Sequence, residues 1–155
     1  MSRITQKLES LGIVLPEAPK PVASYIPAKL VGNLLFISGQ IPFQGGELIC
    51  MGSVPGDCSP EKATDAARIC AINALAAAHQ ALDGDLDRIQ EVVRLGVFVA
   101  SEADFTGQPG IANGASELMT ELFGAAGQHV RAAVGSIALP LGASVEVEMI
   151  LQVRG

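Results

Sequence analysis

The sequence predicts an α+β fold: a single mixed β-sheet with two main helices packed on one of its faces. Three observations lead there. Hydrophobic patterning along the chain alternates between periods in the order ββ-α-β-α-ββ, the order of a sheet with helices segregated to one side. An alanine-rich stretch between Ser59 and Leu82 has the small-residue face of a helix that lies close against a sheet. Near the end, Val145, Val147 and Met149 alternate with Glu146 and Glu148, so one strand face is apolar and the other carries carboxylates.

Taken in order, residues 2–12 fit a short amphipathic helix, with Ile4, Leu8 and Leu11 at helical spacing and Gly12 closing it. The Pro-rich run from Leu15 to Pro21 lacks amide donors and reads as an extended surface connector. Residues 22–31 are expected to form a first strand and Gly32-Asn33 a hairpin turn. Leu34-Leu35-Phe36-Ile37-Ser38 then reads as a strand buried on both faces. Residues 40–58, with Gly45-Gly46 and Pro55-Gly56, form a loop or short hairpin. Ser59-Pro60-Glu61 is a helix start, because a Ser oxygen caps orphan amides and Pro suits the first helical position. That helix should stop near Asp83-Gly84. A strand over 89–100, a helix over 110–123 and strands over 131–139 and 144–153 complete the chain, with Gly107-Gln108-Pro109-Gly110 as a turn.

The 155 residues suit one domain, 1–155, in which 1–21 are the N-terminal helix and Pro-rich connector. Apolar residues make up 49% of the chain but aromatics only 4%, so the core is expected to be built from Ala, Val, Ile and Leu, with some apolar surface for a partner subunit. A net charge of -6 without a Lys/Arg cluster disfavours a nucleic-acid partner. The cysteines, Cys50, Cys58 and Cys70, are odd in number and form no CxxC pair. They read as reduced thiols in a cytoplasmic protein. The N-terminus is too polar for a signal peptide, and no run has the length of a membrane span.

Metal-ligand spacings, phosphate loops and nucleophile elbows are absent from the sequence. His79 reads as a packed or surface residue of a helix, and His129 as a loop-tip residue or part of a pocket lining. Three features can carry chemistry. Ser38-Gly39-Gln40 follows a buried strand, where Gly39 marks either a bulge or a close approach of backbone to ligand. Arg131 opens an apolar strand, either as an exposed strand-end residue or as a guanidinium fork for a carboxylate. Glu146 and Glu148 share a face, either as a hydrated pair or as a group that handles protons and orients water.

Together these features resemble one family. Gly32-Asn33-Leu34-Leu35-Phe36-Ile37-Ser38-Gly39-Gln40-Ile41-Pro42 is similar to the G-N-(apolar)-S-G-Q-(apolar)-P signature of the reactive-intermediate deaminases, the YjgF or "L-PSP endoribonuclease-like" proteins. Asn73, Val97-Phe98-Val99 with Asp104-Phe105, Asn113 with Glu117, Arg131, Leu139-Pro140 and Val145-Glu146-Val147-Glu148 follow the family pattern in order. Leu11 to Pro16, Gln108 to Leu118 and His129 to Gly135 resemble its longer branch.

The resemblance implies a chorismate-mutase-like fold and a homotrimer with clefts between subunits. It also implies hydrolysis of 2-imino or enamine acids to 2-keto acids and ammonia, without metal or cofactor. In that pattern Arg131 holds the carboxylate of a small metabolite, Tyr25 and the backbone at Gly39 shape the site, and Asn113 lines it. Glu146 is linked to water activation, so Arg131, Glu146 and Tyr25 are the implied catalytic residues. Ser38 and Ala133 complete the substrate-binding set, with Ala133 standing where the family carries Cys and His129 where it carries Pro. A binding module for keto acids that does not turn them over is the alternative, and a ribonuclease the third reading.

Overall fold

The computed structural model describes residues 1–18, 20 and 24–155. Helix α1 (Arg3–Ser10) starts where the Ser2 hydroxyl accepts from the Thr5 amide, and it buries Ile4 and Leu8. Its two leading amides, of Arg3 and Ile4, donate to the Asp87 carboxylate at 2.8 and 2.9 Å. Strand β1 (Ala28–Val31) turns through Gly32-Asn33 into β2 (Leu34–Gln40), with Val31 opposite Leu34. The expected first strand over 22–31 is therefore shorter: residues 22 and 23 lie outside the described part, and Pro27 brings no amide to a ladder. The Pro27 carbonyl instead accepts from the Ser38 amide at 2.9 Å.

A small hairpin, β3 (Phe43–Gln44) and β4 (Glu47–Leu48), precedes the long helix α2 (Pro60–Ala81). The Ser59 hydroxyl caps α2 by accepting from the Lys62 amide at 3.2 Å, as expected. Strand β5 (Ile89–Ala100), helix α3 (Gln108–Phe123), strand β6 (Val130–Ser136) and strand β7 (Val145–Val153) follow. The 107–110 segment is not a separate turn. Pro109 enters the first turn of α3, and the Gln108 amide side chain donates back to the Phe105 carbonyl at 2.8 Å. Strand β6 ends at Ser136 rather than 139 because its partner β5 ends opposite, at Ala100.

The five-stranded sheet has the order β1-β2-β7-β5-β6, with β5 and β6 parallel and the other pairs antiparallel. One face lies under α2 and α3. There the alanine face of α2 (Ala63, Ala66, Ala67, Ala74, Ala78) packs over β2 and β7, with Leu35, Val147 and Met149, and α3 over β5, with Leu95 and Val97, all buried. Gly114 of α3 sits so near α2 that a methyl group on it would land on the Thr64 carbonyl oxygen. Asn73, also buried, donates to the carbonyls of Ile41 and Phe43 at 3.1 and 3.0 Å and ties the 41–43 segment to α2.

The other face is bare. Phe36 is 41% exposed and Val134 46%, so β2 is buried on one face only, not on both as its sequence suggests. Cross-strand partners share a face, which places Phe36, Ile150 and Arg94 in one row and Glu146, Phe98 and Val134 in another.

The cysteines correct a second expectation. Cys50 and Cys58 are joined in a disulfide, whereas Cys70 is free and buried. The 50–58 segment folds back through a bond from the Asp57 amide to the Ser53 carbonyl and brings the two Cα atoms to 6.3 Å, within bridging range. Among the described residues no helix is long and apolar enough to cross a membrane.

Candidate functional site

Register decides where each candidate side chain points. On β6, Arg131 pairs with Leu95 and Ala133 with Val97, so both lie on the helix-covered side, at the sheet edge next to α3. Ala133 packs partly buried against the core. The Arg131 guanidinium is exposed but held: Nη1 donates to Asn113 Oδ1 at 2.8 Å and to Ser116 Oγ at 3.0 Å, and Nη2 to the Pro109 carbonyl at 3.1 Å. A guanidinium has five N–H donors. Among the described residues, those of Nε and the second of Nη2 have no partner, and they form a fork for two acceptor oxygens. His129, Ser116 and Gln128 wall a shallow hollow of about 330 Å³ beside it.

The second group occupies the bare face. The β2–β7 register slips between Ile37 and Gln40, a bulge that holds Ser38 and Gly39. The Glu146 carboxylate lies directly over Gly39, where any side chain would collide with it. The bulge reading of Gly39 is thus realised, and the group that its backbone approaches is the Glu146 side chain. Burial first, and the neighbouring Glu148 carboxylate second, push the Glu146 carboxyl above the ordinary carboxylate range. Tyr25, half exposed, lines a hollow of about 450 Å³ with Ser38, Phe36, Lys29 and the Arg94–Glu148 ion pair, whose Nη1–Oε1 separation is 3.2 Å. Burial, reinforced by Glu146, raises the Cys70 thiol well above its ordinary value, which keeps it protonated beneath β7.

Within one chain these two groups do not meet. Strand β5 runs between Arg131 and Glu146, and the two side chains point to opposite faces of the sheet. Arg131 is brought together with Asn113; apart from them, Tyr25 shares a hollow with Ser38, and Gly39 lies against Glu146. Sequence reasoning missed Ser116, the Pro109 carbonyl and the Arg94–Glu148 pair. Spacing could have found Ser116, since Asn113 and Ser116 stand three apart on one helix face, and His129 stands two residues before Arg131 at the entry to β6. Among the described residues no group of three or more His, Cys, Asp or Glu is placed to hold a metal ion.

A family model described as "YjgF/chorismate_mutase-like, putative endoribonuclease" matches residues 5–152. Protein TCP17 of Trypanosoma cruzi is 41% identical over 156 residues, covering 98% of this chain and 95% of its own. The crystal structure of Atu1372 from Agrobacterium tumefaciens, a protein of unknown function, superposes with a TM-score of 0.91 at 42% identity and covers 97% of this chain and 92% of that one. Escherichia coli TdcF, solved with bound serine, shares the fold at 24% identity and a TM-score of 0.62, covering 90% of this chain and 94% of its own.

Proposed function

From the premise that the chain belongs to the YjgF/chorismate mutase-like family, we propose that it hydrolyses reactive 2-imino and enamine acids to 2-keto acids and ammonia. The observation that carries this reading is the Arg131 guanidinium, fixed by three protein acceptors with two donors left over. A planar pair of N–H groups matches a carboxylate and orients the carbon next to it. An enamine acid first takes a proton at carbon to become the imine. Water then adds to the C=N carbon, the nitrogen takes a proton, and the carbinolamine collapses to a keto acid with loss of ammonia.

The imine carbon is already electrophilic, so fixing the carboxylate and placing one water do most of the work. Glu146, its carboxyl raised by burial, supplies the carboxylate that exchanges a proton with that water. The serine held by TdcF supports a small-metabolite site on this fold. Arg131 and Glu146 lie on opposite faces of one sheet, so the cleft is completed by a second copy in a homotrimer, the bare face of one subunit meeting the β6 edge of the next. A sedimentation experiment that finds a monomer at micromolar concentration would remove that cleft.

Binding without turnover is the second reading, because the carboxylate grip is complete around Arg131 without Glu146. Cleavage of RNA, the activity in the family description, comes third: a net charge of -6 repels a phosphate backbone. The deciding assay generates 2-iminopropanoate in situ from alanine with an amino-acid oxidase. Keto-acid release above background, lost in Arg131→Ala and in Glu146→Gln, is expected. No release from wild type favours the binding module, and loss in Arg131→Ala alone removes Glu146 from the chemistry.

A further inference from the structure

Beside Arg131 runs a chain of hydrogen bonds whose polarity is fixed from one end. His129 Nδ1 lies 2.6 Å from the Gly127 carbonyl oxygen, which only accepts, so Nδ1 carries the proton. In the neutral imidazole Nε2 is then an acceptor, and the Ser116 hydroxyl, at 2.8 Å, donates to it. With its proton committed, Ser116 Oγ offers lone pairs to its other neighbour, Arg131 Nη1, at 3.0 Å. Every proton in the relay points the same way, from Arg131 through Ser116 and His129 to the Gly127 backbone. Bonds aligned in this manner strengthen one another.

We propose that Ser116 and His129 are positioning residues for carboxylate recognition: the relay anchors Nη1 of Arg131 to the backbone of the α3–β6 connection and leaves the Nε and Nη2 edge facing the ligand. This rests on the carboxylate reading of Arg131 given above. It assigns roles to two residues that do not touch the ligand. An arginine side chain has many rotamers, and a guanidinium anchored at one nitrogen loses less freedom on capturing a carboxylate. Asn113 and the Pro109 carbonyl hold the guanidinium from α3, and the relay adds an anchor from the α3–β6 connection.

One arm of the test needs no ligand. Long-range proton–nitrogen correlation NMR on isotope-labelled full-length protein, at a pH where imidazoles are neutral, is expected to show His129 as the Nδ1–H tautomer. An Nε2–H tautomer reverses the relay and overturns the proposal. The second arm titrates pyruvate calorimetrically into wild type, Ser116→Ala, Ser116→Thr, His129→Phe, the Ser116→Ala/His129→Phe double variant and Arg131→Ala, each first shown to melt cooperatively.

Ser116→Ala and His129→Phe are each expected to weaken binding about tenfold, the size of one charge-assisted hydrogen bond. Ser116→Thr should restore it, and the double variant should be no weaker than either single one. Wild-type affinity in Ser116→Ala, or losses that multiply to about a hundredfold in the double variant, overturn the relay. If Arg131→Ala binds pyruvate like wild type, the carboxylate reading fails, while the tautomer arm still decides the hydrogen-bond chain.

Discussion

The two faces of the sheet are made from the same strands by the same alternation, yet they are finished differently. Under the helices, Leu95, Val97, Val147 and Leu151 are fully buried against α2 and α3, and the packing is tight enough that Gly114 has no room for a methyl group. On the bare side the same strands present Phe36, Val134, the Arg94–Glu148 pair and Glu146, none of them fully buried. The covered face is complete within one chain. The bare face gathers the groups with adjustable charge and waits for something to lie on it. The packed core and the Glu146 carboxylate thus lie on opposite sides of one layer of backbone, with Arg131 at the edge of the covered side.

The sharpest way to break this division is to substitute on the covered side. Gly114→Ala drives a methyl into the Thr64 carbonyl and is expected to cost about 3 kcal/mol or more in urea unfolding. A silent substitution would mean that α2 and α3 pack more loosely than the division requires. On the bare side, Phe36→Lys is expected to cost under about 1 kcal/mol in the isolated chain, because the ring is 41% exposed. It should instead lower the mass found by sedimentation, and an unchanged mass would take the bare face out of the assembly.

Two carboxylates sharpen the comparison through opposite pH behaviour. At Asp87, burial pushes the carboxyl upward, but the amides of Ile4 and Arg3 and the charges of Arg3 and Arg154 outweigh it and hold the carboxyl below its usual value. A depressed carboxyl stabilises the fold above its unfolded pKa and loses that contribution as pH falls through the folded one. Asp87→Asn is therefore expected to cost about 1 kcal/mol near neutrality, as for a lost helix cap, and nothing in acid. Amide exchange of Arg3 and Ile4 would report the release of α1 directly.

Glu146 has the reverse sign. Its raised carboxyl makes the ionised form a cost that is fully present above the folded pKa and gone below the unfolded one. Glu146→Gln should stabilise the protein near neutrality, by under about 1 kcal/mol because water still reaches the group, and the gain should fade as pH falls. Thermal melts across pH would show the two variants diverging in opposite directions. Parallel profiles would contradict the opposite shifts of the two carboxyls.

Much of the layered plan is readable in the sequence because it depends on local periodicity. The Ser59-Pro60 start of α2, its alanine face and the Val145–Met149 alternation each follow from residues within a few positions of one another. The failures share a cause: each depends on what a residue meets from elsewhere in the chain. Phe36 lies in an apolar run that reads as buried on both sides, yet no helix among the described residues lies on its face and it is 41% exposed. Cys50 and Cys58 have no spacing motif, and only the fold-back of 50–58 brings them together. For the site, residue types singled out Arg131 and the Glu146–Glu148 pair and the family resemblance joined them, but the placement of Arg131 and Glu146 on opposite faces follows from the register of β6 and β7 on β5, which no stretch of sequence displays.

That strand order has a consequence for how the protein comes into being. Strand β7 lies between β2 and β5, although every other strand precedes it in the chain. While a ribosome is making the protein, the β1–β2 hairpin and the β5–α3–β6 unit can each form locally, but they remain two separate pieces with exposed edges. The last strand slots between them and pairs with both at once, a long-range closure of the kind that makes folding slow and leaves unfinished chains prone to aggregate. A chain that stalls before Val145 is therefore not a slightly shorter protein but two half-sheets with no strand pairing between them.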